Sequence, residues 1–260
     1  WVIFPLYWAL ITSFKIPYDA LRLSFIPFLQ FQPTLANWQE ELGLAGREIR
    51  WGMLNSFLIA SGATLIACSL GTLAGYGLAR FRYHPWRNKD MAIWFLSQRF
   101  LPPVATVIPF YLVMSSLNLL DTQIALILAN ATFTMPFAVL IMRDMFKELP
   151  EELEEAALVD GCSPLGAFWR VALPLALPAL VAAAIIAFAF SWNEFLFAMV
   201  LTFKEATPMT VIIAGVEHAR GIQFWYVATR LLMAIIPPAL LALLGQRYIV
   251  RGLTFGAGKG

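Results

Sequence analysis

Six stretches of this 260-residue chain carry no charged side chain or only one: 1–13, roughly 53–79, 91–117, 123–142, 173–203 and 227–246. A bilayer's hydrocarbon core of about 30 Å needs about 20 helical residues at about 1.5 Å each. Five stretches reach that length, and in lipid a helix satisfies its own backbone. The first, Trp1–Ser13, is too short and is expected to continue upstream as a first span. A signal peptide is the weaker alternative, because no basic segment precedes the run and no small-residue cleavage site lies before Lys15. The expectation is an all-α polytopic membrane protein: one transmembrane domain over 1–260 with six transmembrane helices. With 60% hydrophobic and 13% charged residues, a water-soluble fold and disorder are both excluded. A net charge of +2, without a basic run interleaved with aromatics, argues against nucleic acid. Cys68 and Cys162 have neither metal spacing nor a disulfide framework.

Lys and Arg in short loops set orientation. The segment 80–89 carries Arg80, Arg82, Arg87 and Lys89, and is assigned to the cytoplasm. Alternation then places 143–172 and the tail 247–260 on the same side, with ten of the 18 Lys and Arg. Both termini are expected to be cytoplasmic, and 14–52, 118–122 and 204–226 to face outward. Gly71, Gly75, Gly77 and Ala79 form a small-residue pattern suited to close helix packing within the chain. Prolines at 102, 103, 109, 136, 237 and 238 remove helical donors, so kinks or breaks are expected there.

The loop 143–174 is too long for a simple connector. Pro150 suits a helix start, and Glu151, Glu152, Glu154 and Glu155 load the first turns with acid, where the helix dipole favours it. Leu153, Ala156, Ala157 and Leu158 supply a small apolar stripe. Gly161 fits a left-handed stop, and Ser163 followed by Pro164 reads as the cap and first residue of a second short helix. A helix, glycine turn, helix unit of this kind can dock into a groove on a soluble partner.

Glu155-Ala156-Ala157, three residues, Gly161, nine residues, then Val171-Ala172-Leu173-Pro174 resembles the EAA signature of bacterial ABC importer permeases in both type and spacing. Asn55-Ser56, Trp192-Asn193-Glu194-Phe195 and the tail from Tyr248 resemble the carbohydrate-uptake branch, and within it the MalG-type subunit of the maltose transporter. The resemblance implies a multi-pass subunit of the bacterial inner membrane that works with a second homologous permease, two ATPase subunits and an extracytoplasmic solute-binding protein. ATP and Mg would be used by the ATPases, with no cofactor on this chain. Closure of the ATPase dimer would drag the loops together and switch the helices between inward-facing and outward-facing states. The levers would be Glu155, Ala156, Ala157 and Gly161, with Ser163 and Pro164 starting the second helix and Leu153, Leu158, Leu165 and Phe168 as hydrophobic supports.

The tail Gly252–Lys259 fails as a phosphate-binding loop: the glycine spacing is wrong, no Ser or Thr follows Lys259, and no strand precedes it. By resemblance it reaches toward the ATPase interface, with a frayed terminus as the alternative. Arg99, Glu194 and Arg230 lie within spans, where ionisable groups pair or line a wet cavity. Arg99 and Glu194 both fall about 15 Å deep at the helical rise. A structural ion pair between two helices is the expected role, ahead of substrate contact. Trp192 and Asn193 offer an aromatic face and hydrogen-bonding groups suited to a polyhydroxylated ligand. Arg230, nearer the outer surface, is expected to snorkel. His84 and His218 have no companion ligands, and no nucleophilic signature suggests an enzyme. The competing readings are a permease for glycerol phosphate or another polyol, a self-sufficient secondary transporter, for which no repeat is evident, and a membrane scaffold or sensor.

Overall fold

The computed structural model describes residues 1–43, 46–215, 217, 218 and 221–254. They form a helical bundle, with α1 Phe4–Ser13, α2 Pro17–Ala20, α3 Ala36–Leu42, α4 Gly46–Arg80, α5 Asn88–Ser97, α6 Pro103–Ser116, α7 Gln123–Glu148, α8 Glu152–Val159, α9 Pro164–Ala167, α10 Leu173–Trp192, α11 Leu196–Leu201, α12 Met209–Ala214 and α13 Phe224–Thr254. A small antiparallel ribbon, β1 Glu217–His218 with β2 Gly221–Ile222, is an addition to the expected all-α chain. Four described helices are long and apolar enough to cross a membrane: Gly46–Arg80, Gln123–Glu148, Pro164–Trp192 and Phe224–Gln246. A fifth span exists if the bent pair Asn88–Phe100 and Pro103–Ser116 crosses as one.

The central contact is α4 against α7, and its closeness comes from glycine. A Cβ on Gly71 would lie 2.5 Å from the Cβ of Ala138, and one on Gly75 would lie 2.8 Å from the backbone nitrogen of Arg143. The small-residue pattern therefore packs helices within this chain, as expected. Helix α10, rich in alanine, lies against α4, α7 and α13, and α1 lies against α13. Buried Ala125, Leu126, Ala129, Phe197 and Leu201 join α7 to α11 in one cluster.

Two stretches depart from straight spans. The third bends by 93° between Phe100 and Pro103, because Pro102 and Pro103 offer no N–H to continue the ladder. The fifth stops at Trp192 and restarts as α11 after Asn193–Phe195. There the Glu194 carboxylate accepts the N–H groups of Phe197 (2.8 Å) and Ala198 (3.1 Å), capping the new helix in place of the lost backbone bonds. Helices α6, α7 and α13 continue through Pro109, Pro136 and Pro237-Pro238.

The C-terminal segment is helical to Thr254 as the end of α13. Gly256, Gly258 and Lys259 lie outside the described residues.

The three segments expected to face outward meet one another, Asp121 of 118–122 reaching Lys204 and Glu205, and Tyr226 of 204–226 donating to Glu40 of 14–52, with Asn55 of α4 beside them. Asn55 Nδ2 donates to the carbonyls of Glu205 (2.9 Å) and Thr207 (3.1 Å), while Asn55 Oδ1 accepts from Gln123 Nε2. One oxygen of Asp121 accepts the N–H groups of Phe203, Lys204, Glu205 and Ala206 at 3.1 to 3.2 Å. Burial opposes ionisation of Asp121, but these backbone donors outweigh it and hold the carboxyl below its ordinary range. Lys15, in the segment 14–52, is fully buried, donating to the Ser24 carbonyl at 2.6 Å with its ammonium over the Trp8 ring. Burial lowers its pKa, with Asp19 opposing.

Candidate functional site

The loop 143–174 folds as a helix, a glycine turn and a second helix. Gly161 adopts φ +91°. Its N–H donates to the Leu158 carbonyl (3.0 Å), and that of Cys162 to the Ala157 carbonyl (2.9 Å), closing α8. A Cβ on Gly161 would meet nothing within 4 Å, so the turn needs glycine for its dihedral rather than for space. Ser163 Oγ accepts the Gly166 N–H at 3.1 Å and Pro164 occupies the first turn of α9. Five residues of π-helical turn, Phe168–Ala172, then lead into α10.

Within this unit Ala157 and Phe168 are buried, whereas Leu153, Glu155, Ala156, Leu158, Gly161, Ser163, Pro164 and Leu165 face outward. Phe168 packs with Tyr76 and Phe146 at ring separations of 4.7 and 6.2 Å. Leu153, Leu158 and Leu165 do not support the loop from within. With Val159, 88% exposed, they form its open apolar face.

The residues that fasten the loop to the bundle are Arg80 and Glu154. Arg80 Nε pairs with Glu154 Oε1 at 2.7 Å with both side chains buried, and Arg80 also donates to the carbonyls of Phe146 and Leu149. Tyr76 adds a hydrogen bond to Glu154 Oε2. In the sequence alone Arg80 reads as an orienting cation and Glu154 as one dipole-favoured acid among four. The available signal was spacing: Glu154 lies three residues before buried Ala157, on the same helix face.

The second candidate region is a cavity of about 340 Å³ beside the bend, lined by Arg99, Asn130, Phe133, Thr134, Phe190, Ser191, Glu194 and Phe197 among others. Arg99 and Glu194 share it but form no ion pair. Glu194 is committed to capping α11, and Arg99 lies over the Phe137 ring at 3.7 Å, donating to the Phe133 carbonyl at 3.0 Å. The expected helix-joining pair is thus replaced by a cap and a stacked cation. Trp192 and Asn193 do not line the cavity. Trp192 is buried, donates to the Ala234 carbonyl at 3.1 Å and stacks on Phe188, because its turn of α10 faces α13. Asn193 bonds back to the Ala189 carbonyl. Sequence reasoning missed Asn130, Thr134 and Ser191, single polar residues in apolar runs; Asn130 Nδ2 donates to Ser191 Oγ at 2.8 Å.

Arg230 does not snorkel. It is buried against Glu41 at 2.5 Å and donates to the Ile212 carbonyl at 3.1 Å, because α3 folds back over α13 and brings the acid to it. Among the described residues no group of three or more His, Cys, Asp and Glu is placed to hold a metal.

A family model described as "binding-protein-dependent transport system inner membrane component" matches residues 71–254, which include the loop and the cavity. The trehalose transport system permease protein SugB of Mycobacterium tuberculosis is 33% identical over 270 residues, covering 98% of this chain and 97% of that protein. The sulfoquinovosyl glycerol transport system permease protein SmoH of Agrobacterium fabrum is 32% identical over 262 residues, covering 99% and 89%. The crystal structure of a bacterial ABC transporter involved in import of the acidic polysaccharide alginate contains a similar chain, with TM-score 0.77, 20% identity, and coverage of 95% of this chain and 90% of that one. At that identity the likeness is one of fold.

Proposed function

This chain belongs to the binding-protein-dependent transport system inner membrane components, non-catalytic permease subunits of ABC transporters, and from that premise we propose that it conducts a sugar or oligosaccharide in an ATP-driven importer. The working assembly is this subunit, a second homologous permease, two ATPases that use ATP and Mg, and an extracytoplasmic solute-binding protein. Six helices cross the inner membrane, counting α1 as the first and the bent pair as one. Both termini and the loop 143–174 lie in the cytoplasm. Relatives named for trehalose and for sulfoquinovosyl glycerol support the carbohydrate reading. The second of these also favours a polyol derivative as the runner-up substrate.

The observation that carries the coupling role is the exposed helix, glycine turn, helix unit, tied to α4 by a buried ion pair. An ATPase cleft that grips Glu155, Ala156 and the open apolar face would move α8, and the Arg80–Glu154 pair would pass that motion to α4 and α7. Gly161→Leu tests this in the assembled importer. Forcing a branched residue to positive φ costs about 1–2 kcal/mol locally, too little to unfold the bundle. Expected is an importer that still hydrolyses ATP but no longer couples hydrolysis to uptake. Uptake at the normal rate overturns the assignment.

A further inference from the structure

Three arginines reach into the bundle, and their surroundings differ. Arg80 is paired with Glu154 and two carbonyls, and Arg230 with Glu41 and one carbonyl. Arg99, among the described residues, has no carboxylate in ion-pair range and a single hydrogen bond, from Nη1 to the Phe133 carbonyl. A guanidinium has five N–H donors in a planar fork suited to a carboxylate, sulfonate or phosphate. Two aromatic rings hold it from the side, the guanidinium carbon lying 3.7 Å from the centroid of Phe137 and 5.2 Å from that of Phe190.

The cavity that Arg99 lines is within the size range of small-molecule sites. Phe133, Phe190 and Phe197 give it aromatic faces for the C–H side of a sugar ring. The hydrogen bond between Asn130 and Ser191 leaves Asn130 Oδ1 as an acceptor and the Ser191 hydroxyl as a donor for sugar hydroxyls. Glu194, the cavity's own carboxylate, accepts two N–H groups from the start of α11 and makes no ion pair with Arg99.

We propose that this cavity selects an anionic carbohydrate, whose oxyanion group docks on the Arg99 fork while its ring packs among the phenylalanines. The proposal rests on the carbohydrate-importer reading and narrows its substrate class. The test uses the complete importer with its cognate binding protein in proteoliposomes, comparing a neutral disaccharide with its uronic-acid counterpart of equal ring count. The wild type is expected to import the acidic sugar in preference and to show ATP hydrolysis stimulated more strongly by it. Arg99→Gln is expected to lower the ratio of acidic to neutral uptake by about tenfold or more, the scale of a charge-assisted hydrogen bond, with Arg99→Lys recovering part of it.

A wild type that prefers the neutral sugar overturns the anion site and leaves the importer reading standing. An unchanged ratio in Arg99→Gln overturns it too, assigning Arg99 to packing or to an acid of the partner permease. Where Arg99→Gln does not assemble, the wild-type preference decides alone. A wild type that takes up no carbohydrate of either kind fails the underlying reading instead.

Discussion

Arg230 and Glu41 meet at 2.5 Å with both side chains shielded, a geometry in which removing one charge strands the other. Arg230→Ala or Glu41→Ala is expected to cost about 3–5 kcal/mol, while replacing both with apolar residues of similar volume costs far less. Thermal unfolding in detergent of the wild type, the two single variants and the double variant measures the cycle, and additive losses would show that the two act independently. Sequence reading placed Arg230 at the surface because its partner is 189 positions away, a separation that no local pattern reveals. Asp121 was equally hidden, a single acid in a five-residue connection. Its folded carboxyl titrates below the ordinary value of 3.8. The stability it contributes is therefore complete above that value and lost as pH falls through the depressed one. The destabilisation caused by Asp121→Asn should be full near pH 7 and should shrink as pH falls through the depressed value, read as the difference in Tm between wild type and variant.

At the scale of elements, the loop 143–174 was largely legible, because its punctuation is local. Gly161 stops a helix by its dihedral, and Ser163 with Pro164 starts one within four residues, so spacing alone describes them. What fastens the loop is not local, since Arg80 and Glu154 are 74 positions apart. Disrupting this clamp with Arg80→Gln or Glu154→Gln should reduce uptake more than ATP hydrolysis, and the charge swap Arg80→Glu with Glu154→Arg should restore part of the coupling. Equal loss of both activities would mark the pair as structural only. The π-helical turn 168–172 also went unread, although its cause is in the sequence: Pro174 has no N–H for the Arg170 carbonyl, so the ladder shifts one residue before it. The same chemistry at Pro102 and Pro103 was anticipated as a kink. Its size, 93°, follows from two consecutive missing donors and from the tertiary room to turn.

For the molecule as a whole, apolar run length marked the four long spanning helices and the bent pair, and charge placement divided the connections into two groups. The structure brings members of each group together, Asp121 with Glu205 and Glu40 with Tyr226 in one, Arg80 with Phe146 and Glu154 in the other. The cavity was only half readable: Arg99 and Glu194 announced themselves as charges in apolar runs, whereas the rotation of α10 that turns Trp192 away depends on α13. Free Cys162 lies partly exposed beside the glycine turn and Cys68 is buried. A membrane-impermeant maleimide should therefore label Cys162 in inside-out vesicles and leave it unlabelled in right-side-out ones. The reverse pattern would invert the proposed topology.

The bend at Leu101 and Pro102 carries a further implication for the lone subunit. Pro103 leaves the Arg99 carbonyl without its helical donor, and Phe100, Leu101 and Val104 beside it are exposed in the single chain. Lipid tails cannot solvate a broken helix, each unmet backbone group costing several kcal/mol there. A second permease seated over the break would relieve that cost without any strong attraction of its own. Subunit pairing would then be set by what the bilayer refuses to dissolve.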